Sequence, residues 1–429
     1  MGRQFTSVFL ARALVLAVLA ACSSSSPTSP SAPTVPNTPA AIAPVSGGGR
    51  ATVSMPLTAA QVVRVTDAAG RPVPGAVVTF SVSDGGGWTT DRTVAADAAG
   101  QAATTWYMGP KPGVEQTLLA TVAGGITATF TAAADPLVPG TRYTGALEYV
   151  DFTAGSLPLV LSAPHGGTLQ PATIPTRTGP NATTVRDANT DILAEDIHEA
   201  FASRGGGTPH TIIVRLHRAK LDANRDIGEA AEGNAIAERA WREYHGFIEA
   251  AREHVLAQHG RGFYVDLHGH GHAIQRLELG YMLTASELAG TDALLNLPGL
   301  VSKSSIRTLA AAGLSSHAEL LRGPHSLGTL FEGRGYPAVP GTQQPNPGSD
   351  PYFTGGYNTG RHGSRDGGMI DGVQIEANMT GVRDTQANRQ AFAAALTDVM
   401  VEYLQRHYGY ATAPAAGRAG RSPWTGRWR

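Results

Sequence analysis

Phe263-Tyr264-Val265-Asp266-Leu267-His268-Gly269-His270-Gly271-His272 is the stretch that decides the fold. An apolar run of strand length ends on Asp-x-His, and two further histidines alternate with glycine behind it. Such a run, stopped by glycine, reads as a buried strand. In open α/β sheets, chemistry collects where strands end. Neutral imidazole is a common zinc ligand, and a neighbouring carboxylate such as Asp266 can orient it. His268 follows the strand directly and is the best-placed ligand of the three. His270 and His272 are then expected to line the pocket.

Outward from this stretch the pattern repeats. Leu157 to Ala163, Thr211 to Leu216 and Val373 to Glu376 read as further strands. Asp191 to Ser203, Glu229 to His259 and Thr385 to His407 read as helices. The alternation predicts an α/β unit over 140–410, a layered mixed sheet with helices on both faces. Residues 340–368 are rich in Gly, Pro and Asn and read as a long lid or binding loop. Three more strand ends carry polar side chains. Ser162-Ala163-Pro164-His165-Gly166-Gly167 places a histidine before two glycines, which would let substrate or metal approach the backbone. Lys220-Leu221-Asp222-Ala223-Asn224-Arg225-Asp226 offers an Arg fork and an Asn for a substrate carboxylate. Val373-Gln374-Ile375-Glu376-Ala377-Asn378 sets a carboxylate at an apolar strand end, a candidate general base.

Taken together, the motifs resemble N-formylglutamate amidohydrolases, a family related to the zinc carboxypeptidases. They are Pro164-His165-Gly166, Asp187 and Asp191, Asp222-x-Asn224-Arg225, Trp241-x-x-Tyr244-His245, Asp266-x-His268, Arg361-His362-Gly363 and Gln374-x-Glu376, in that order. The resemblance covers about 145–410. It implies a zinc-carboxypeptidase-like fold and one zinc held by His165, His268 and an acidic residue. That residue is Asp187 or Asp191, with Asp187 preferred at the loop-to-helix junction. It also implies Glu376 as general base, Asn224 and Arg225 on a substrate carboxylate, and Arg361 and His362 facing the substrate from the long loop. The expected activity is zinc-dependent hydrolysis of an amide in an N-acyl amino acid or small peptide-like carboxylate. The alternatives are a carboxypeptidase or peptidoglycan amidase, or a non-catalytic surface adhesion protein.

The remainder of the chain is of another kind. Arg3 and Arg12 precede an apolar run from Ala13 to Ala21, too short to span a bilayer and suited to a signal peptide over 1–21. Leu19-Ala20-Ala21-Cys22 looks like a bacterial lipobox, which implies acylation of Cys22 and a lipid-anchored, extracytoplasmic place in the bacterial cell envelope. Residues 22–50, rich in Ser and Pro, read as a disordered tether. Over 51–134, short β-branched runs separated by Asp67-Ala68-Ala69-Gly70, Asp84-Gly85-Gly86-Gly87 and Asp97-Ala98-Ala99-Gly100 predict an all-β sandwich. The run from Val65 to Phe80, with Pro72-Val73-Pro74-Gly75, resembles bacterial Ig-like domains of the invasin type. The tail 411–429 is basic and expected to be disordered.

Composition removes several classes. With 33 basic against 34 acidic side chains, the net charge of -1 supplies no field for nucleic acid. The single cysteine permits neither an internal disulfide nor a Cys-based zinc site. No Gly-x-Ser-x-Gly elbow, His-Glu-x-x-His helix or P-loop occurs.

Overall fold

The computed structural model describes residues 38–410. The signal peptide, Cys22 and the 411–429 tail lie outside the described residues. No described helix is long and apolar enough to cross a membrane.

Two sheets form the N-terminal sandwich. One runs Ala41–Ser46, Gln61–Thr66, Gln101–Thr104 in spatial order. The other runs Gly49–Thr52, Ile126–Asp135, Glu115–Val122, Val77–Asp84, Thr93–Ala95. Alternate residues point inward, as a two-residue period requires: Val63 and Val65, Val78 and Phe80, Leu118 and Ala120, Ala128 and Phe130 are all buried. The expected turns close on themselves. Asp67 Oδ1 accepts from the Ala69 and Arg71 amides, and Asp97 Oδ1 from those of Ala99 and Gln101. The tether expectation needs correcting at its end. Residues 41–50 enter the sandwich, with Ala41–Ser46 pairing antiparallel to Gln61–Thr66. Ile42 alone of that strand is buried, and Pro44 is tolerated because the strand is an edge.

The second unit is built on one eight-stranded mixed sheet. Edge to edge its strands are Arg142–Thr144, Val150–Thr153, His210–Val214, Leu159–Ala163, Gly262–Gly269, Ile370–Ala377, Leu277–Gly280 and Ala338–Val339. The four central strands, His210–Val214 through Ile370–Ala377, are mutually parallel. Alternation divides the core between two faces. Val160, Ile212, Val214 and Tyr264 pack with Tyr244, Phe247, Ile248 and Ala251 of the helix Ala235–His259. Leu161, Ile213, Phe263 and Val265 pack with the helices Thr190–Arg204 and Gln386–Tyr408. Helices therefore cover both faces, as parallel strands need.

Two expectations change in detail. The helix expected over 229–259 is two helices, Ile227–Ala231 and Ala235–His259. Between them Glu232 and Gly233 take positive φ, and Asn234 Oδ1 accepts from the Ile236 and Ala237 amides, starting the second helix. The 340–368 loop is strapped down rather than open. Asp350 meets Arg276 at 3.1 Å, the Tyr352 hydroxyl donates to the Leu279 carbonyl at 2.6 Å, and the Asn358 amide donates to Asn224 Oδ1 at 2.8 Å. Its last part is a short helix, Tyr357–His362.

The sandwich and the α/β unit share one continuous apolar cluster. At the seam, buried Glu243 Oε1 accepts from the Tyr107 hydroxyl at 2.8 Å and the Ala146 amide at 3.1 Å. Trp88 stacks on Tyr107 at 3.9 Å, and Ser54 Oγ donates to the Gly246 carbonyl at 2.7 Å. The long helix is thus clamped from the side away from the sheet.

Candidate metal centre and active site

The parallel strands deliver their C-terminal ends to one place. His165 follows the strand ending at Ala163, and His268 stands near the end of its neighbour Gly262–Gly269. Asp187 lies in the loop before the helix Thr190–Arg204, its amide donating to the His165 carbonyl at 3.1 Å. Ligand atoms of these three residues all lie within 4.8 Å of one another, and all three residues are buried. Both imidazoles present Nδ1 to the same carboxylate oxygen. His268 Nδ1 is 3.0 Å and His165 Nδ1 3.4 Å from Asp187 Oδ2. His165 Nδ1 is buried and makes no hydrogen bond.

The opposite nitrogens are each held by a buried aspartate. His165 Nε2 is 2.6 Å from Asp222 Oδ1, and His268 Nε2 is 2.9 Å from Asp266 Oδ2. A carboxylate only accepts, so each Nε2 donates to its aspartate, and a ring that gives up its second proton to a metal is left with its lone pair on Nδ1. Asp266 is itself fixed by Ser162 Oγ at 2.7 Å and Tyr264 Oη at 3.2 Å. Asp222 is braced by Arg218 Nε at 3.1 Å and by Arg177 at 3.7 Å. Two histidines, one carboxylate and a carboxylate behind each ring are a donor set that fits zinc.

Charge balance here is tight. Burial pushes Asp187 up, yet the imidazoles of His165 and His268 outweigh it and hold the carboxyl well below its ordinary range. Burial pushes His268 down, and Asp266 and Asp187 hold it well above its usual value. Glu376 behaves oppositely. Burial, reinforced by Asp187 and Glu278, raises it to about 8 against the pull of His268 and Gln374. Its Oε1 accepts from Gln374 Nε2 at 2.9 Å, and the residue pairs directly with His268 across the parallel strands.

Of the two aspartates left open by the sequence, Asp187 joins the histidines. Asp191 sits buried in the first turn of its helix and is not in the group. Asn224 Oδ1 is taken by the Asn358 amide, while its Nδ2 lies 3.4 Å from His268 Nε2, itself a donor to Asp266, so no hydrogen bond joins those two nitrogens. Arg225 is half-exposed and 3.8 Å from Glu229. Arg361 lies over the Trp241 ring at 5.1 Å and donates to the Tyr357 hydroxyl at 2.9 Å.

His362 differs from the expectation. It is fully buried, 2.9 Å from His245 Nδ1 and 3.2 Å from Glu249 Oε1, because its helix turns it inward onto Ala235–His259. It does not face a substrate. Nor do the glycines after His165 serve an approaching ligand. A Cβ on Gly166 would sit 2.3 Å from the Asp191 amide, and one on Gly167 2.3 Å from the Arg215 carbonyl carbon. They let the loop close against the chain. Asp222, behind His165, is the residue whose place sequence reasoning missed.

A separate cleft of about 640 Å³ lies at the seam, lined by Trp88, Arg92, Arg239 and Arg242 among others and by none of the residues of the candidate metal centre.

No protein-family model matches the chain, and no curated protein matches it. Solved structures similar to it are bacterial adhesins. The D00-D0 domain of intimin is 15% identical, with a TM-score of 0.19, over 23% of this chain and 50% of that one. The Yersinia pseudotuberculosis adhesin InvE is 16% identical, TM-score 0.21, over 28% and 41%. The Escherichia coli adhesin FdeC is 13% identical, TM-score 0.19, over 26% and 37%. The chain thus spans half or less of the length of these structures.

Proposed function

We propose that the α/β unit is a zinc-dependent amidohydrolase similar to N-formylglutamate amidohydrolases, with a zinc-carboxypeptidase-like fold, acting on a small amide that carries a free carboxylate. The observation that carries this is the convergence of His165 Nδ1 and His268 Nδ1 on Asp187 Oδ2, each ring backed by a buried aspartate. Zinc, when bound there, supplies a Lewis acid and brings the pKa of water to about 7. Asp222 and Asp266 keep each imidazole in the tautomer that leaves Nδ1 free. Glu376 takes a proton from the attacking water and returns it to the leaving amine. Its place opposite His268 in the strand register puts the carboxyl on the same sheet face as that ligand. Arg225 and Arg361, both reachable from solvent, orient the substrate's carboxylate. The full chain should hydrolyse N-acyl amino acids faster than their carboxyl-amidated analogues, and Arg225→Lys should erase that preference. Equal rates on both in the wild type would remove the carboxylate from the reading.

The same proposal places the protein on the bacterial cell envelope through lipid on Cys22. Adhesion through the sandwich is the second reading. InvE and FdeC, among the similar solved structures, are adhesins. For this chain, the cleft at Trp88, Arg92, Arg239 and Arg242 favours it. A chain without metal or hydrolysis that still binds host cells through this cleft would favour adhesion.

A further inference from the structure

We infer that His270, His272 and Glu278 form a second divalent-cation site beside the first. It rests on the metal-binding part of the proposed function, and its test separates the two. Ligand atoms of the three residues lie within 4.8 Å of one another. Their placement follows from the chain path. The strand Gly262–Gly269 ends, the chain reverses, and it re-enters the sheet as Leu277–Gly280. His270 Nε2 is 2.8 Å from the Arg276 carbonyl and must donate to it, so the neutral ring carries its lone pair on Nδ1. That lone pair accepts from the His272 amide at 3.1 Å, a hydrogen bond that a bound cation would displace. His272 Nδ1 is 2.8 Å from Glu278 Oε1, and its ring stacks on Phe353 at 4.8 Å.

Glu278 is fully buried. One oxygen accepts from the Phe353 amide at 2.9 Å, and the other faces His272. Among the described residues no lysine or arginine pairs with it; its ion-pair partner is His272. A buried carboxylate without a firm positive partner is costly.

The register adds an independent observation. Glu278 pairs with Glu376 across one strand boundary, and Glu376 pairs with His268 across the next. Directly paired residues share a sheet face, with Cβ atoms about 5 Å apart. One rung therefore reads His268, Glu376, Glu278, with Glu376 between the two donor groups. Imidazole nitrogens with one carboxylate suit zinc or a similar borderline metal, not calcium or magnesium, which take oxygen ligands.

The test is zinc titration of the chelator-treated full chain, followed by native mass spectrometry and elemental analysis. Wild type should take two equivalents, and His272→Ala and His268→Ala one each. The His272 side chain is only 24% exposed, so His272→Gln serves as a second variant that keeps a polar group against Glu278; it too should take one. A single equivalent in wild type, kept by both His272 variants and lost in His268→Ala, overturns the second site and leaves the first. No zinc in wild type overturns both. Loss of all zinc in the His272 variants would mean one shared site and would also overturn the inference.

Discussion

Replacing Glu376 by Gln should make the metal-free protein more stable at alkaline pH while stopping catalysis. Glu376 is 4% exposed and raised to about 8 from an ordinary 4.5. A carboxyl whose folded pKa lies above its unfolded value gains a proton on folding. Its contribution is fully present below about 4.5 and is lost as pH rises toward about 8. At about 1.36 kcal/mol per unit, the interval from 4.5 to about 8 sets a ceiling near 5 kcal/mol. Relaxation around the ionised group returns much of that, leaving an expected loss of about 2 kcal/mol. Gln keeps the size and the polar contact but never ionises. Urea unfolding of chelator-treated protein, from about pH 5.5 to about pH 9, should show the two proteins diverging, with the variant ahead by about 2 kcal/mol at the alkaline end. With zinc restored, the variant should keep the metal and lose at least about a hundredfold in rate. Parallel stability curves, or near-normal turnover, would refute the reasoning.

Asp222→Asn replaces the charged acceptor behind His165 Nε2 by a neutral amide and should weaken zinc about 10–100-fold, read by competition with a chelating dye; unchanged affinity would reduce Asp222 to a packing role. Glu243→Ala strips the seam of the acceptor for Tyr107 and Ala146 and should cost about 3 kcal/mol in urea unfolding. A loss under about 0.5 kcal/mol would show that the seam is held by apolar contact alone. Cys22→Ser should abolish lipid labelling and release the chain from membranes, and retention would sink the anchoring proposal.

Strand ends were the legible part of the site. His165, His268 and Glu376 each stand at the close of an apolar run, and such a run of strand length ending on a polar side chain is a local signal. Asp187 carries no such signal, because its loop is carried over to His268 by the fold and not by any neighbour in sequence. Asp222 was visible in its motif but was given no role, since chain spacing says nothing of what lies behind His165. His362 misled because its Arg-His pair looks exposed in a Gly-rich loop, whereas the short helix Tyr357–His362 turns the ring onto His245. The mixed sheet with helices on both faces followed from the alternation. Its outer strands, Leu277–Gly280 and Ala338–Val339 among them, did not, being too short to show a period. The start of the sandwich at Ala41 was hidden for the opposite reason. An edge strand buries one side chain and reads like a tether.

The most direct test of the account is metal content in the purified full chain, compared with His165→Ala and His268→Ala. The account predicts that wild type carries zinc, that each variant loses the equivalent held by His165, Asp187 and His268, and that both fold normally. Wild-type zinc retained in full by both variants, or a wild-type chain that takes up none, would contradict it.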